Sequence, residues 1–209
     1  MFSLPSIPDL VANVIILVIS LTVHEFAHAY TATQLGDDTA RRLGRLTLNP
    51  LVHLDPLGSL LFIIAGFGWA KPVPVNPYNL RNGPKLGMVI VAAAGPFSNF
   101  VLAALAAIPF RMGLVPDFGG TALTPSISEF LVQFIYLNLV LLLFNLIPIP
   151  PLDGSKILRG FAPSDWDGFL SQLERLGPLV LLLVVFMGGS VMNLLIGRPA
   201  LALFRALVG

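Results

Sequence analysis

Two histidines and a glutamate fall within five consecutive positions, His24-Glu25-Phe26-Ala27-His28, inside an otherwise uncharged apolar run. Residues four apart on a helix share one face, with β-carbons about 5–6 Å apart, so the two imidazoles can reach one metal ion. Glu25, beside His24, can then reach water at that ion without being a ligand itself. This spacing is the H-E-x-x-H pattern of zinc-dependent peptidases. A hydrogen-bonded histidine pair with a partner glutamate is the plainer reading. It leaves three costly ionisable groups in a membrane helix without a purpose.

A hydrolytic zinc site needs a third protein ligand and an open position. The chain contains no cysteine, which removes thiolate ligands and thiol nucleophiles together. Asp, Glu and His53 are left as candidates. Asp153 is the best placed, in Asn145-Leu146-Ile147-Pro148-Ile149-Pro150-Pro151-Leu152-Asp153-Gly154, directly after an apolar run. Pro148, Pro150 and Pro151 bar a regular helix, and Gly154 permits a sharp turn. Together they are expected to aim the carboxylate back at the histidines. By itself Asp153 also reads as a turn or helix-capping aspartate.

The elements that position these groups belong in lipid. Of 209 residues, 56% are hydrophobic and 11% charged, with a mean hydropathy of +0.85. A soluble domain carries about a quarter charged residues. A net charge of +1 offers no broad nucleic-acid-binding face. The partner expected from composition is therefore the lipid bilayer, not nucleic acid. The N-terminal residues lack the positive n-region of a secretory signal and the following run is long, so that run is read as a retained helix.

The reading is an all-α polytopic membrane protein. A span needs about 20 mainly apolar residues, and stretches 10–35, 86–110, 127–147 and 178–196 qualify. The tail after Gly197 is expected along the interface. Segment 44–77 differs: its apolar core is short, broken by Gly66 and Gly68, and flanked by Pro and Asn. It is expected to be a re-entrant, strand-like hairpin dipping into the membrane between the first and second spans. Phe67 and Trp69 would anchor it at the interface. Arg41, Arg42, Arg45, Lys71, Arg81 and Lys85 fall between the first two spans, and Lys156, Arg159 and Arg175 between the last two. Only Arg111 lies between the second and third. Positive residues favour the cytoplasm, which puts both termini outside and the histidines towards the cytoplasmic side of the cell (inner) membrane. No internal repeat and no separate soluble domain is evident, so residues 1–209 read as a single integral-membrane domain.

Three motifs on successive spans carry a family resemblance: His24-Glu25-Phe26-Ala27-His28, Ala94-Gly95-Pro96-Phe97-Ser98-Asn99, and Asn145 through Leu152-Asp153-Gly154. In order and placement the chain resembles the site-2 protease family of intramembrane metalloproteases, in its small prokaryotic form without a PDZ or CBS domain. The resemblance implies one zinc ion per chain, ligands at His24, His28 and Asp153, and a catalytic Glu25. It also implies endoproteolysis within or near transmembrane segments of membrane proteins, with single-span proteins as substrates.

Three more residues have an expected part. Asn99, past a Gly95-Pro96 break, would bond substrate backbone or an oxyanion, or else only pack helices. Asn145 poses the same choice. His53 would gate the metal or else satisfy its own loop. The hairpin would offer a strand edge to an unwound substrate. Two other functions compete with proteolysis, because intramembrane His and carboxylate groups also line ion paths. One is a divalent-metal transporter. The other is an inactive protease relative that binds membrane proteins.

Overall fold

The computed structural model describes residues 7–58, 68–115, 120–121, 124–187 and 189–209. Six helices organise them: α1 (Ile7–Gln34), α2 (Pro84–Arg111), α3 (Ile127–Asn145), α4 (Asp153–Phe161), α5 (Asp167–Met187) and α6 (Gly189–Val208), the last containing a π-helical turn at Asn193–Gly197. By length and composition α1, α2, α3 and α6 can each cross a membrane.

Local chemistry sets several helix ends. Gly83, at φ +79°, turns the chain into α2, and Pro84 occupies the first turn, where a missing N–H has no helical partner to lose. Ser126 and Glu129 form a reciprocal capping box at the start of α3: Ser126 N donates to Glu129 Oε2 at 2.8 Å and Glu129 N to Ser126 Oγ at 3.3 Å. Helix α3 stops before the proline-rich stretch that follows Asn145. The break expected at Gly95-Pro96 is absent, and α2 runs through both residues.

Helix α2 is central and packs on α1, α3 and α4. Buried residues of α1 recur every fourth position, as Ala12, Ile16, Ser20, His24, His28 and Ala32. Gly87, Val91, Gly95, Asn99, Ala103 and Ala107 do the same on α2. The stripes meet antiparallel: Asn99 faces Ser20, Gly95 faces the two histidines, and Val91 faces His28. Small residues allow this close approach, and in lipid the helices associate through van der Waals packing and hydrogen bonds. Away from the site, Ala103, Ala107, Ile135, Leu139 and Ala200 form a core joining α2, α3 and α6. Ile15, Ile19, Leu105 and Ile108 face outward, as lipid-covered helices require.

Among the described residues of 44–77, the expected strand-like hairpin is not found. Among the described residues there is one isolated antiparallel bridge, Leu54 to Ala70, with Lys71 N donating to His53 O at 2.8 Å. Around it are single 3-10 turns at Pro50–Val52 and Pro77–Asn79. Pro72, Pro74 and Pro77 have no N–H to donate, so a ladder cannot extend beyond the bridge. Residues 59–67, including Gly66 and Phe67, lie outside the described residues, and Trp69 is partly exposed. The apolar run 178–196 also resolves differently, being shared between α5 and α6, and the tail after Gly197 continues α6 to Val208.

Candidate metal centre

His24 and His28 point from adjacent turns of α1 towards the start of α4. There Asp153 is the first helical residue and is buried. His24 Nε2 lies 3.0 Å from Asp153 Oδ2, and His28 Nε2 lies 3.1 Å from the same oxygen. The imidazoles meet edge to face, with centroids 4.6 Å apart.

Two glycines make this convergence possible. A β-carbon at Gly95 would stand 2.5 Å from His24 Nε2 and 2.4 Å from His28 Nε2, so α2 offers the histidines a bare face. At Gly154 a β-carbon would stand 2.3 Å from Leu146 O, so the turn that delivers Asp153 needs a residue without a side chain. The proline-rich approach thus aims Asp153 into the bundle as expected.

The far side of each ligand is held as well. His28 Nδ1 is 2.7 Å from Val91 O. A carbonyl only accepts, so Nδ1 carries a proton and Nε2 is the nitrogen turned to Asp153. His24 Nδ1 is 2.7 Å from Asn99 Oδ1. Lys156 Nζ donates to the second oxygen of Asp153 at 3.0 Å. Burial opposes ionisation of Asp153, but the His28 charge and the hydrogen bonds from both imidazoles hold its carboxyl far below the usual carboxylate range. Asp153 is therefore a carboxylate.

Glu25 lies beside this cluster and outside it. It is buried, and its Oε2 accepts the backbone N–H of Val73 at 3.1 Å. Val73 belongs to a non-helical strap that crosses the end of α1. Arg45, itself buried, donates to Lys71 O at 2.6 Å and Pro72 O at 3.2 Å. Asp37 accepts from Asn76 N at 2.7 Å and Asn79 Nδ2 at 2.9 Å.

Of the remaining expected residues, Asn99 adjoins the cluster, whereas Asn145 and His53 make contacts of their own. Asn99 is fully buried against His24, with its amide nitrogen also engaged. Asn145 bonds back to Leu141 O of its own helix at 3.0 Å. His53 is fully buried in its loop, with Nε2 donating to Thr47 O at 2.8 Å and Arg45 Nη2 lying 3.5 Å from Nδ1. Arg45, Lys156 and Asn138 were not foreseen. An amide inside the apolar run 127–147 was the available signal for Asn138, and a lysine one turn after Asp153 was the signal for Lys156.

Among the described residues, His24, His28 and Asp153 form the group able to hold a metal, with ligand atoms within 4.8 Å of one another. Residues 109–165 match the sequence profile of Peptidase family M50. YwhC of Bacillus subtilis, named as a candidate zinc metalloprotease, is 45% identical over 82% of this chain and 78% of its own length. This chain belongs to peptidase family M50. Rip2 of Mycolicibacterium smegmatis, another candidate zinc metalloprotease, is 37% identical over 72% of the M50 chain and 61% of its own length. The regulator of sigma-E protease RseP of Escherichia coli is 26% identical over 81% of the chain and 37% of its own length. No solved structure matches.

As an M50 member the protein is a zinc-dependent intramembrane protease, which favours that reading over the transporter and the inactive relative. The donor set fits the metal. Donors about 2.1 Å from a tetrahedral zinc lie about 3.4 Å apart, close to the 3.0 and 3.1 Å between each Nε2 and Oδ2.

Proposed function

We propose that His24, His28 and Asp153 bind one zinc ion per chain and that Glu25 is the general base. Residues 1–209 then act as one integral-membrane catalytic domain. The observation that carries this reading is the convergence of both Nε2 atoms on Asp153 Oδ2, with Glu25 next in sequence to one ligand. When bound, zinc acts as a Lewis acid that polarises the scissile carbonyl and acidifies water. Glu25 takes the proton of the attacking water and returns it to the leaving amine. Burial within the helices keeps bulk solvent from these groups and strengthens their electrostatics. Lys156 holds the second oxygen of Asp153, leaving the first for the metal.

The substrate is a membrane protein with a single transmembrane segment, unwound locally so that its amides become accessible. The site faces the cytoplasmic side of the cell (inner) membrane, a placement supported by the arginines and lysines between α1 and α2 and after α3. The test is Glu25→Gln in purified protein. It should keep one bound zinc and lose cleavage of a transmembrane substrate by at least about 100-fold, the lower bound of a general-base contribution. Undiminished cleavage would remove Glu25 from the reaction.

A further inference from the structure

A chain of buried amides runs from α3 through α2 to the first histidine. Asn138 Nδ2 is 2.9 Å from Phe134 O. Asn99 Nδ2 is 2.9 Å from Asn138 Oδ1, and Asn99 Oδ1 is 2.7 Å from His24 Nδ1. Asn138 and Asn99 have no exposure at all, and His24 has almost none.

The direction of this chain is determined at one end. Phe134 O, a main-chain carbonyl, can only accept, so the Asn138 atom facing it must be the amide nitrogen. Asn138 then presents its oxygen to Asn99, which must answer with nitrogen. Asn99 therefore presents its oxygen to His24, and His24 Nδ1 must carry the proton. A neutral ring protonated there keeps its lone pair on Nε2, the nitrogen that faces Asp153. A second contact, Asn99 Nδ2 to Ser20 O at 3.4 Å, demands the same orientation.

We infer that Asn138 is a positioning residue for the metal, acting through Asn99 to hold His24 in the Nδ1–H tautomer with Nε2 free to coordinate. This rests on the reading of His24 as a ligand. Without the Asn138 oxygen, only the longer 3.4 Å contact to Ser20 O opposes turning of the Asn99 amide, which can then offer N–H to Nδ1. His24 would then shift to the Nε2–H tautomer, which has no lone pair for the metal. A third helix, which supplies no ligand, thereby governs one that α1 supplies. His28 has no such dependence, because Val91 O holds its Nδ1 directly.

The test uses full-length protein carrying Glu25→Gln, so that activity plays no part, and measures zinc affinity by chelator competition. Asn138→Leu should weaken zinc binding by about 10–100-fold, the usual effect of losing an outer partner of a ligand. Asn138→Asp should restore affinity to within about threefold, because a neutral buried carboxyl can donate to Phe134 O and accept from Asn99 in the same sense. Nitrogen-15 spectra give a readout that simple loosening of helices would not move. The chain has three histidines. In the metal-free protein His24 and His28 should each carry a proton on Nδ1, and His53, bonded through Nε2 to Thr47 O, should be Nε2–H. Asn138→Leu should convert one of the first two. If that variant does not fold, Asn138→Ala carries the same expectations. Unchanged affinity and tautomers in Asn138→Leu would overturn the inference, as would failure of Asn138→Asp to restore binding. His24→Ala separates the two levels. If it binds zinc like the parent, the ligand reading itself fails. If it loses zinc while Asn138→Leu does not, only the relay fails.

Discussion

Val73 donates its main-chain N–H to Glu25 Oε2 at 3.1 Å, so the side chain read as the base is oriented by a strap 48 residues away in sequence. Arg45 holds that strap through the carbonyls of Lys71 and Pro72. Arg45→Met should preserve zinc content yet lower kcat by roughly 10–100-fold, since displacing a reacting group by about 1 Å has costs of that order. Parallel metal analysis and a transmembrane-substrate cleavage assay check this. Equal loss of zinc and activity would place Arg45 in general folding instead.

Gly95→Ala would put a β-carbon 2.4–2.5 Å from both imidazole Nε2 atoms. Overpacking of this kind costs about 1–3 kcal/mol, which corresponds to roughly 5–150-fold weaker zinc binding if the histidines yield. Chelator competition measures it. Wild-type affinity would show that α2 can retreat from α1.

Asp153 and Lys156 should separate clearly. Asp153→Asn removes the charge of the third ligand and should weaken zinc binding by at least about 100-fold. Lys156→Met removes only a half-exposed partner of the other oxygen and should change it by less than about tenfold, as expected for an outer contact open to solvent. Equal affinity in Asp153→Asn and the parent would mean that the third ligand lies elsewhere.

Asp37 predicts an acid limit. Burial opposes its ionisation, but hydrogen bonds from Thr39, Asn79 and Asn76 hold its carboxyl below the ordinary range. A depressed folded-state pKa contributes stability that is complete above the ordinary carboxylate pKa of about 4 and is lost as pH falls through the folded value. Thermal melts between about pH 7 and pH 3 should therefore fall at the acid end. Asp37→Asn should lower stability at neutral pH by about 1.5–3 kcal/mol, the worth of a hydrogen bond to a charged group, and flatten the acid limb. A mutant melting curve parallel to the parent's at every pH would refute this.

How much was legible beforehand depended on the range of the interactions. The histidine spacing is a local property of an α-helix, so His24, Glu25 and His28 could be read together from the chain. Long apolar runs likewise announce helices, because a backbone in lipid must satisfy its own hydrogen bonds. Asp153 was reachable by elimination, since no cysteine competes and prolines end the preceding helix. The strap was misread because its short apolar core resembled a strand, although Pro72, Pro74 and Pro77 already forbade a ladder. Asn138 and Arg45 were invisible as participants, because their partners are chosen by packing: Asn99 lies 39 residues from Asn138, and Pro72 lies 27 from Arg45. Sequence alone determined which groups could do chemistry and that His24, Glu25 and His28 sit in a helix long and apolar enough to cross a membrane. Only the tertiary structure decided which oxygen, amide or carbonyl holds each in place, because hydrogen-bond direction depends on distances across helices that residue order does not encode.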